Sequence, residues 1–186
     1  MATSIPPNDD ADSSALALLR ADHNKVRQLF QQFAQLRGSE DNARKTELVD
    51  DICYELTLHT MLEEELFYPA LRAVADDAEL LDEADIEHAG ARELISQLEV
   101  MYPGDDHFDA TVTVLGEEVA HHMSKEEQEL FTLARSSGID LDALGARMAA
   151  RKDELDEDLS SPATDLDALD AILPREGTRR APRAPN

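Results

Sequence analysis

The chain is 186 residues long and carries 41 acidic against 17 basic residues, a net charge of −24 with histidine neutral; that length suits one domain with a self-supporting core. An acidic surface without a basic stripe repels nucleic acid and anionic lipid, so neither is an expected partner. The single cysteine, Cys53, rules out an internal disulfide, the N-terminal MATSIPPNDDADSS has neither the basic start nor the apolar centre of a signal peptide, and no apolar run of about 18 residues is present to span a membrane; the expectation is a cytoplasmic protein.

Residues 1–12 read as disordered, and four long segments follow in which apolar positions recur at steps of three and four. The first, residues 13–37, has Ser13 or Ser14 as N-cap, Gly38 just past its end and a stripe of Leu16, Leu19, His23, Val26, Phe30 and Phe33. The second, residues 41–74, carries Leu48, Ile52, Leu56, His59, Glu63, Leu66 and Ala70, with Pro69 breaking its ladder near the end. The third, residues 78–101, carries Ala84, His88, Ala91, Ile95 and Leu98 and is stopped by Pro103 and Gly104. The fourth, residues 106–136, carries Val112, Leu115, Val119, His122, Glu126, Leu130 and Leu133, with Gly138 after it. Asp140 then caps a fifth, more acidic helix with Leu141, Leu144, Met148, Leu155 and Leu159 on one side. Residues 160–186 read as mostly disordered, although DLDALDAIL places Leu166, Leu169 and Ile172 at helical spacing. The predicted fold is all-α: an up-down-up-down antiparallel four-helix bundle over residues 13–138 with an accessory helix over 139–159.

Each of the four long helices has one histidine in register with its core face: His23, His59, His88 and His122. Two of them are followed four residues later by a glutamate, Glu63 and Glu126, and positions i and i+4 of a helix share a face. In an antiparallel hairpin, residues at one level are equidistant from the turn. The midpoints between His23 and His59, between the second-helix pair and His88, and between His88 and the fourth-helix pair fall in RGSEDN, in AVADDAE and beside PGDD, where composition already places turns. The six side chains are therefore expected at one level of the core. Buried carboxylates cost several kcal/mol each, on the order given for unpaired ions, unless cations or hydrogen bonds satisfy them. Two Glu and four His can hold two metal ions, and imidazole with carboxylate and no thiolate suits iron, and also manganese or zinc.

The other acidic groups near these ligands divide. Glu65 and Glu129 read as solvated, Glu64 and Glu127 as candidates to support the ligands from outside, and His107 and His121 as surface groups. Tyr54, five residues before His59, is a candidate relay near the site. HTMLEE and HHMSKEE align as His-x-x-x-Glu-Glu, each followed by Leu-Phe, which marks two related helical hairpins.

The order His23, His59/Glu63, His88, His122/Glu126, set in DHNKVRQLF, HTMLEEELFYPAL, EHAGARELISQL and HHMSKEEQELF, resembles that of the hemerythrin-like, or HHE cation-binding, domains over residues 14–136. The resemblance implies a four-helix bundle around a non-haem di-iron centre bridged by the two carboxylates and an oxygen species. It puts His23 and His59 on one iron, His88 and His122 on the other, and Glu63 and Glu126 between them. Oxygen carriers of this type have a further histidine four residues before the one matched by His88, where this chain has Ala84. That departure implies exchangeable positions on both irons, and a role in handling hydrogen peroxide, nitric oxide or oxygen in redox or stress defence, as a peroxidase-like or catalase-like enzyme. The appended region after Gly138 motivates the alternative of a sensor or an iron-delivery protein acting through a partner.

Overall fold

A computed structural model describes residues 14–75 and 78–160. The cap proposed at Ser13, the disorder expected of residues 1–12 and of the tail beyond Ser160, and the helical spacing of DLDALDAIL lie outside them. The described residues form helices and turns only. Helix α1 is Ser14–Gln35. Helix α2 starts as Asn42–Leu62, passes through a π-helical turn, Glu63–Phe67, and resumes as α-helix over Tyr68–Arg72. Helix α3 is Glu79–Leu98. Helix α4 repeats the form of α2, with α-helix over Phe108–Lys125, a π turn over Glu126–Leu130 and α-helix over Phe131–Ser136. Helix α5 is Leu141–Ser160.

The boundaries follow from local chemistry. Asp41 caps α2 by accepting from the Arg44 amide, and Asp140 caps α5 by accepting from the Ala143 amide at 2.9 Å. Gly38 and Gly138 take positive φ just past α1 and α4, the left-handed conformation that ends helices. Cross-helix pairs set the direction. Lys25 meets Glu55 while Arg44 meets Gln32, so α1 and α2 run antiparallel; Glu87 meets His122 while Glu83 meets Lys125, and α3 and α4 do the same. Arg72 reaches Asp82 whereas His88 reaches Glu64, which makes α2 and α3 antiparallel as well.

Two apolar clusters stand on either side of a polar layer. One gathers Leu16, Leu19, Leu62, Phe67, Leu81 and Phe131, together with Leu144, Met148 and Leu155 of α5. The other gathers Val26, Ile52, Leu56, Leu98, Leu115 and Met123. Each such side chain contributes about 1.5–3 kcal/mol by leaving water, and together they hold open a layer that on its own opposes folding. Helix α5 lies on the α1/α2 side, with Arg151 paired to Glu65, Asp156 accepting from Tyr54, and Lys152 paired to Asp22. Among the described residues no helix is long and apolar enough to cross a membrane.

Three expectations about inward faces are corrected. Past Glu63 the stripe of α2 moves from Leu66 and Ala70, which are half-buried, to Phe67, Tyr68 and Leu71, which are fully buried. In α4, Phe131 and Ala134 are buried where Leu133 was expected. The cause is the π turn, whose extra residue rotates everything beyond it. The interruption in α2 thus precedes Pro69, which occupies the first turn of the resumed helix, where a missing N–H is tolerated. Leu159 is 41% exposed and does not continue the inward side of α5.

Candidate metal centre

The polar layer is built from α1 to α4, one ligand set per helix. His23, His59, Glu63 and Glu126 form one group, all buried, with one potential ligand atom from each lying within 4.8 Å of the others. Glu63, His88 and His122 form a second group by the same measure. All six residues singled out in the sequence therefore meet, and Glu63 belongs to both groups. Its Oε1 lies 3.2 Å from His59 Nε2 and its Oε2 lies 3.3 Å from His88 Nε2. Glu126 falls in the first group alone, where its Oε2 stands 3.0 Å from His23 Nε2 without hydrogen-bond geometry. Glu63 thus spans both groups and Glu126 stands at the His23/His59 end, while the bridging role expected of both carboxylates concerns the metal-loaded centre.

The ring nitrogens facing outward define the chemistry of those facing inward. His23 Nδ1 lies 2.8 Å from Glu127, His88 Nδ1 lies 3.0 Å from Glu64, and His122 Nδ1 lies 2.7 Å from Glu87. His59 Nδ1 looks toward Asp22 at 3.9 Å, beyond hydrogen-bond range. A proton held on Nδ1 by a carboxylate leaves the Nε2 lone pair pointing inward, the arrangement that metal-ligating histidines use. Glu127 is in turn held by Arg20 and Arg27, and Glu64 by Arg92. Glu64 and Glu127 were legible in the sequence as outer supports; Asp22 and Glu87 were not. The signal available for them was adjacency. Each outer carboxylate is the sequence neighbour of an inner group on its own helix, Asp22 beside His23, Glu64 beside Glu63, Glu87 beside His88 and Glu127 beside Glu126, and faces an imidazole on a different helix.

The π turns place one more residue. Each begins at the inner glutamate of a His-x-x-x-Glu pair, so the residue five positions on, rather than four, returns to the site. In α2 that residue is Tyr68, whose buried hydroxyl donates toward Glu63 Oε2 at 3.4 Å and stands 3.3 Å from His88 Nε2. In α4 it is Phe131, stacked on His23 with ring centroids 5.9 Å apart. Burial, then the charge of Glu63, raises the Tyr68 phenol well above its ordinary value, which keeps it a donor. Tyr54, the tyrosine proposed from spacing, gives its hydroxyl to Asp156 of α5, because five residues of undisturbed α-helix before His59 turn it to the outer face. His107 and His121 are exposed, as expected of surface groups.

The electrostatics favour cation binding. Burial lowers His59, and burial with the charge of His122 lowers His88 to about 4, so both imidazoles are neutral and ready to ligate near pH 7. Burial is the largest influence on Glu126 and would raise it, but His23, His59 and Glu63 around it together lower its carboxyl below the ordinary value. Glu63 is raised well above the usual carboxylate range, by burial first and by Glu126 second. Five buried atoms facing the centre, His23 Nε2, His59 Nε2, Glu63 Oε1 and both oxygens of Glu126, have no hydrogen-bond partner. Unpaired buried donors and acceptors of this kind are rare in native proteins, and four imidazoles with two carboxylates are the donor set of divalent and trivalent metals. The residues fit a dinuclear metal centre.

Comparison with known proteins follows the same line. Residues 14–134 match the model of the hemerythrin HHE cation binding domain. A curated relative described as a DNA nickase, from Nostoc sp., is 30% identical over 162 residues, taking in 84% of this chain and 44% of that protein; the chain spans less than half the length of that relative. The crystal structure of a hemerythrin HHE cation binding domain-containing protein from Mycobacterium kansasii has the same fold, with a TM-score of 0.67, 22% identity, and coverage of 77% of this chain and 88% of that one.

Two outcomes are expected. Glu64→Ala and Glu127→Ala each lower metal affinity by about 10–100-fold, measured by competition with a chelator, whereas Glu65→Ala, which touches Arg151 and not a ligand, leaves it unchanged; equal affinities for all three would contradict the outer-support role. A carboxyl raised above its ordinary value of 4.5 stabilises the fold below that pH and loses its contribution as pH rises, while a histidine lowered to about 4 loses its contribution as pH falls from 6.5. Glu63→Gln removes the first effect and keeps the second. The metal-free variant is therefore more stable than the metal-free parent at pH 7, by about 1–3 kcal/mol in denaturant melts, with the gap closing as pH falls toward 4.5. A less stable variant at pH 7 would show that Glu63 is not a buried, uncompensated carboxyl.

Proposed function

The chain belongs to the hemerythrin HHE cation-binding domain family, and from that premise we propose that it is a cytoplasmic non-haem di-iron protein that consumes small oxidants, hydrogen peroxide first, in redox defence. The observation carrying this reading is Glu63, buried, with one oxygen on each histidine group. Two iron ions held there would supply redox chemistry at adjacent centres. The chain's own residues set the conditions. Glu64, Glu87 and Glu127 orient three imidazoles, Tyr68 offers a protonated hydroxyl beside Glu63 and His88, and the flanking apolar clusters exclude bulk water. Ala84, where oxygen carriers place another ligand, leaves a small cavity of about 10 Å³ bordered by His122 and Glu126. A donor set one imidazole short favours reaction over reversible carriage.

A sensor is the second reading, and a specific contact favours it. Lys152 of α5 pairs with Asp22, the carboxylate facing His59, so a segment outside the bundle touches the ligand surroundings. The nickase activity in the name of the Nostoc relative is not carried over: net charge −24 opposes DNA, and the alignment leaves more than half of that protein unmatched.

The iron-loaded chain is expected to disproportionate hydrogen peroxide to water and oxygen at least about tenfold faster than Glu63→Ala, followed by an oxygen electrode. Peroxide-induced spectral change without oxygen release would favour the sensor, and equal rates in the two proteins would sink the enzymatic reading. Supercoiled plasmid incubated with the same iron-loaded protein should stay supercoiled on an agarose gel. Conversion to the relaxed form that Glu63→Ala abolishes would transfer the nickase reading to this chain.

A further inference from the structure

The site has an internal pseudo-twofold that the sequence repeat only hinted at. Asp22-His23 and Arg27 on α1 correspond to Glu87-His88 and Arg92 on α3; His59, Glu63, Glu64 and Tyr68 on α2 correspond to His122, Glu126, Glu127 and Phe131 on α4. Contacts repeat with it. Glu127 joins His23 to Arg27 as Glu64 joins His88 to Arg92, and the His23–His59 rings sit 4.8 Å apart as His88–His122 sit 4.7 Å apart. What lies outside the two halves does not repeat. Over the α1/α2 groove α5 sets Lys152 on Asp22, Asp156 on Tyr54 and the fully buried Leu155. The corresponding α3/α4 groove has no helix over it among the described residues. It holds a cavity of about 430 Å³ whose wall includes His59, His88, His122, Ala91, Val119 and Met123.

We propose that this groove is the entry and binding site for the oxidant, and that the ligand it takes is a small uncharged molecule arriving at the metal held by Glu63, His88 and His122, while the His23 side of the centre, which does not line the groove, stays covered by α5. The inference rests on the dinuclear centre proposed above and adds its polarity. Three features support the direction. His122 is the most open of the six inner residues at 7% exposure, against 0% for His23 and Glu63. The walls are apolar and the rim carries Glu87, Glu117 and Glu118, which repel anions and leave neutral molecules unhindered. Tyr68 sets its hydroxyl 3.3 Å from Nε2 of His88, which itself lines the groove, while its counterpart Phe131 caps His23 with an apolar ring. The volume lies in the range of ligand pockets and exceeds what a diatomic fills, so the groove serves as a vestibule.

Gly90 lines the groove, and a Cβ there meets Glu118 Oε2 at an ordinary 3.7 Å, so Gly90→Trp obstructs the passage without straining the backbone. Ile86→Trp does the same from the rim, at a position 73% exposed in the folded chain. In the iron-loaded full chain, nitric oxide serves as the probe, and its binding is followed by stopped-flow absorbance with iron content measured in parallel. The proposal predicts a binding rate at least about tenfold lower in both Trp variants with iron retained, and within about twofold of the parent in Leu155→Ala, which loosens the opposite face. Unchanged rates in the Trp variants, or a tenfold rise in Leu155→Ala, would overturn it. A chain that takes up no iron contradicts the preceding section instead, and the groove is then tested on the metal-free full chain with diethyl pyrocarbonate and mass spectrometry. There His122 is modified before His23, and Gly90→Trp slows it; equal modification of the two overturns the proposal.

Discussion

The structure depends on a layer of six polar side chains that the fold buries and satisfies only in part. Four imidazoles and two carboxylates converge from four helices, and five of their inward atoms have no hydrogen-bond partner. Such a layer costs on the order of several kcal/mol per unpaired ionised group, more than a domain of this size can spare without compensation. The apolar clusters on either side offset that cost, and a bound cation would convert it into affinity. Metal binding and folding free energy are in this sense one quantity.

The second theme is how the layer is aimed. Carboxylates behind His23, His88 and His122 hold the Nδ1 side of each ring and turn Nε2 inward, and arginines fix two of those carboxylates in turn. The π turns at Glu63 and Glu126 let a helix deliver a ligand, rotate, and deliver an aromatic ring five residues later. A regular helix would have returned Phe67 and Leu130 to the same face. The two halves differ at two places: Tyr68 against Phe131, and a groove covered by α5 against one that no helix covers among the described residues.

Much of this was legible in the residues, for reasons that can be stated. The i, i+4 spacing of His59 with Glu63 and of His122 with Glu126 puts each pair on one face whatever the neighbours do, and the midpoints between ligands fall in the observed turns. Past the glutamates the reading failed, since a π turn leaves no mark in composition and shifts the inward face by one residue; that is why Tyr68 escaped notice and Tyr54 attracted it. Asp22 and Glu87 were passed over because a carboxylate beside a ligand in sequence points away from that ligand, and its partner sits on a different helix. Periodicity gave α5 an apolar side without saying which groove it would cover.

The most direct test of the account is the metal stoichiometry of the full chain purified from iron-replete cells, determined by elemental analysis alongside His23→Ala and His88→Ala variants. The account predicts about two irons per parent chain, as for other two-metal sites, and loss of one or both in each variant. Negligible metal after reconstitution, or a content that neither substitution changes, would contradict it.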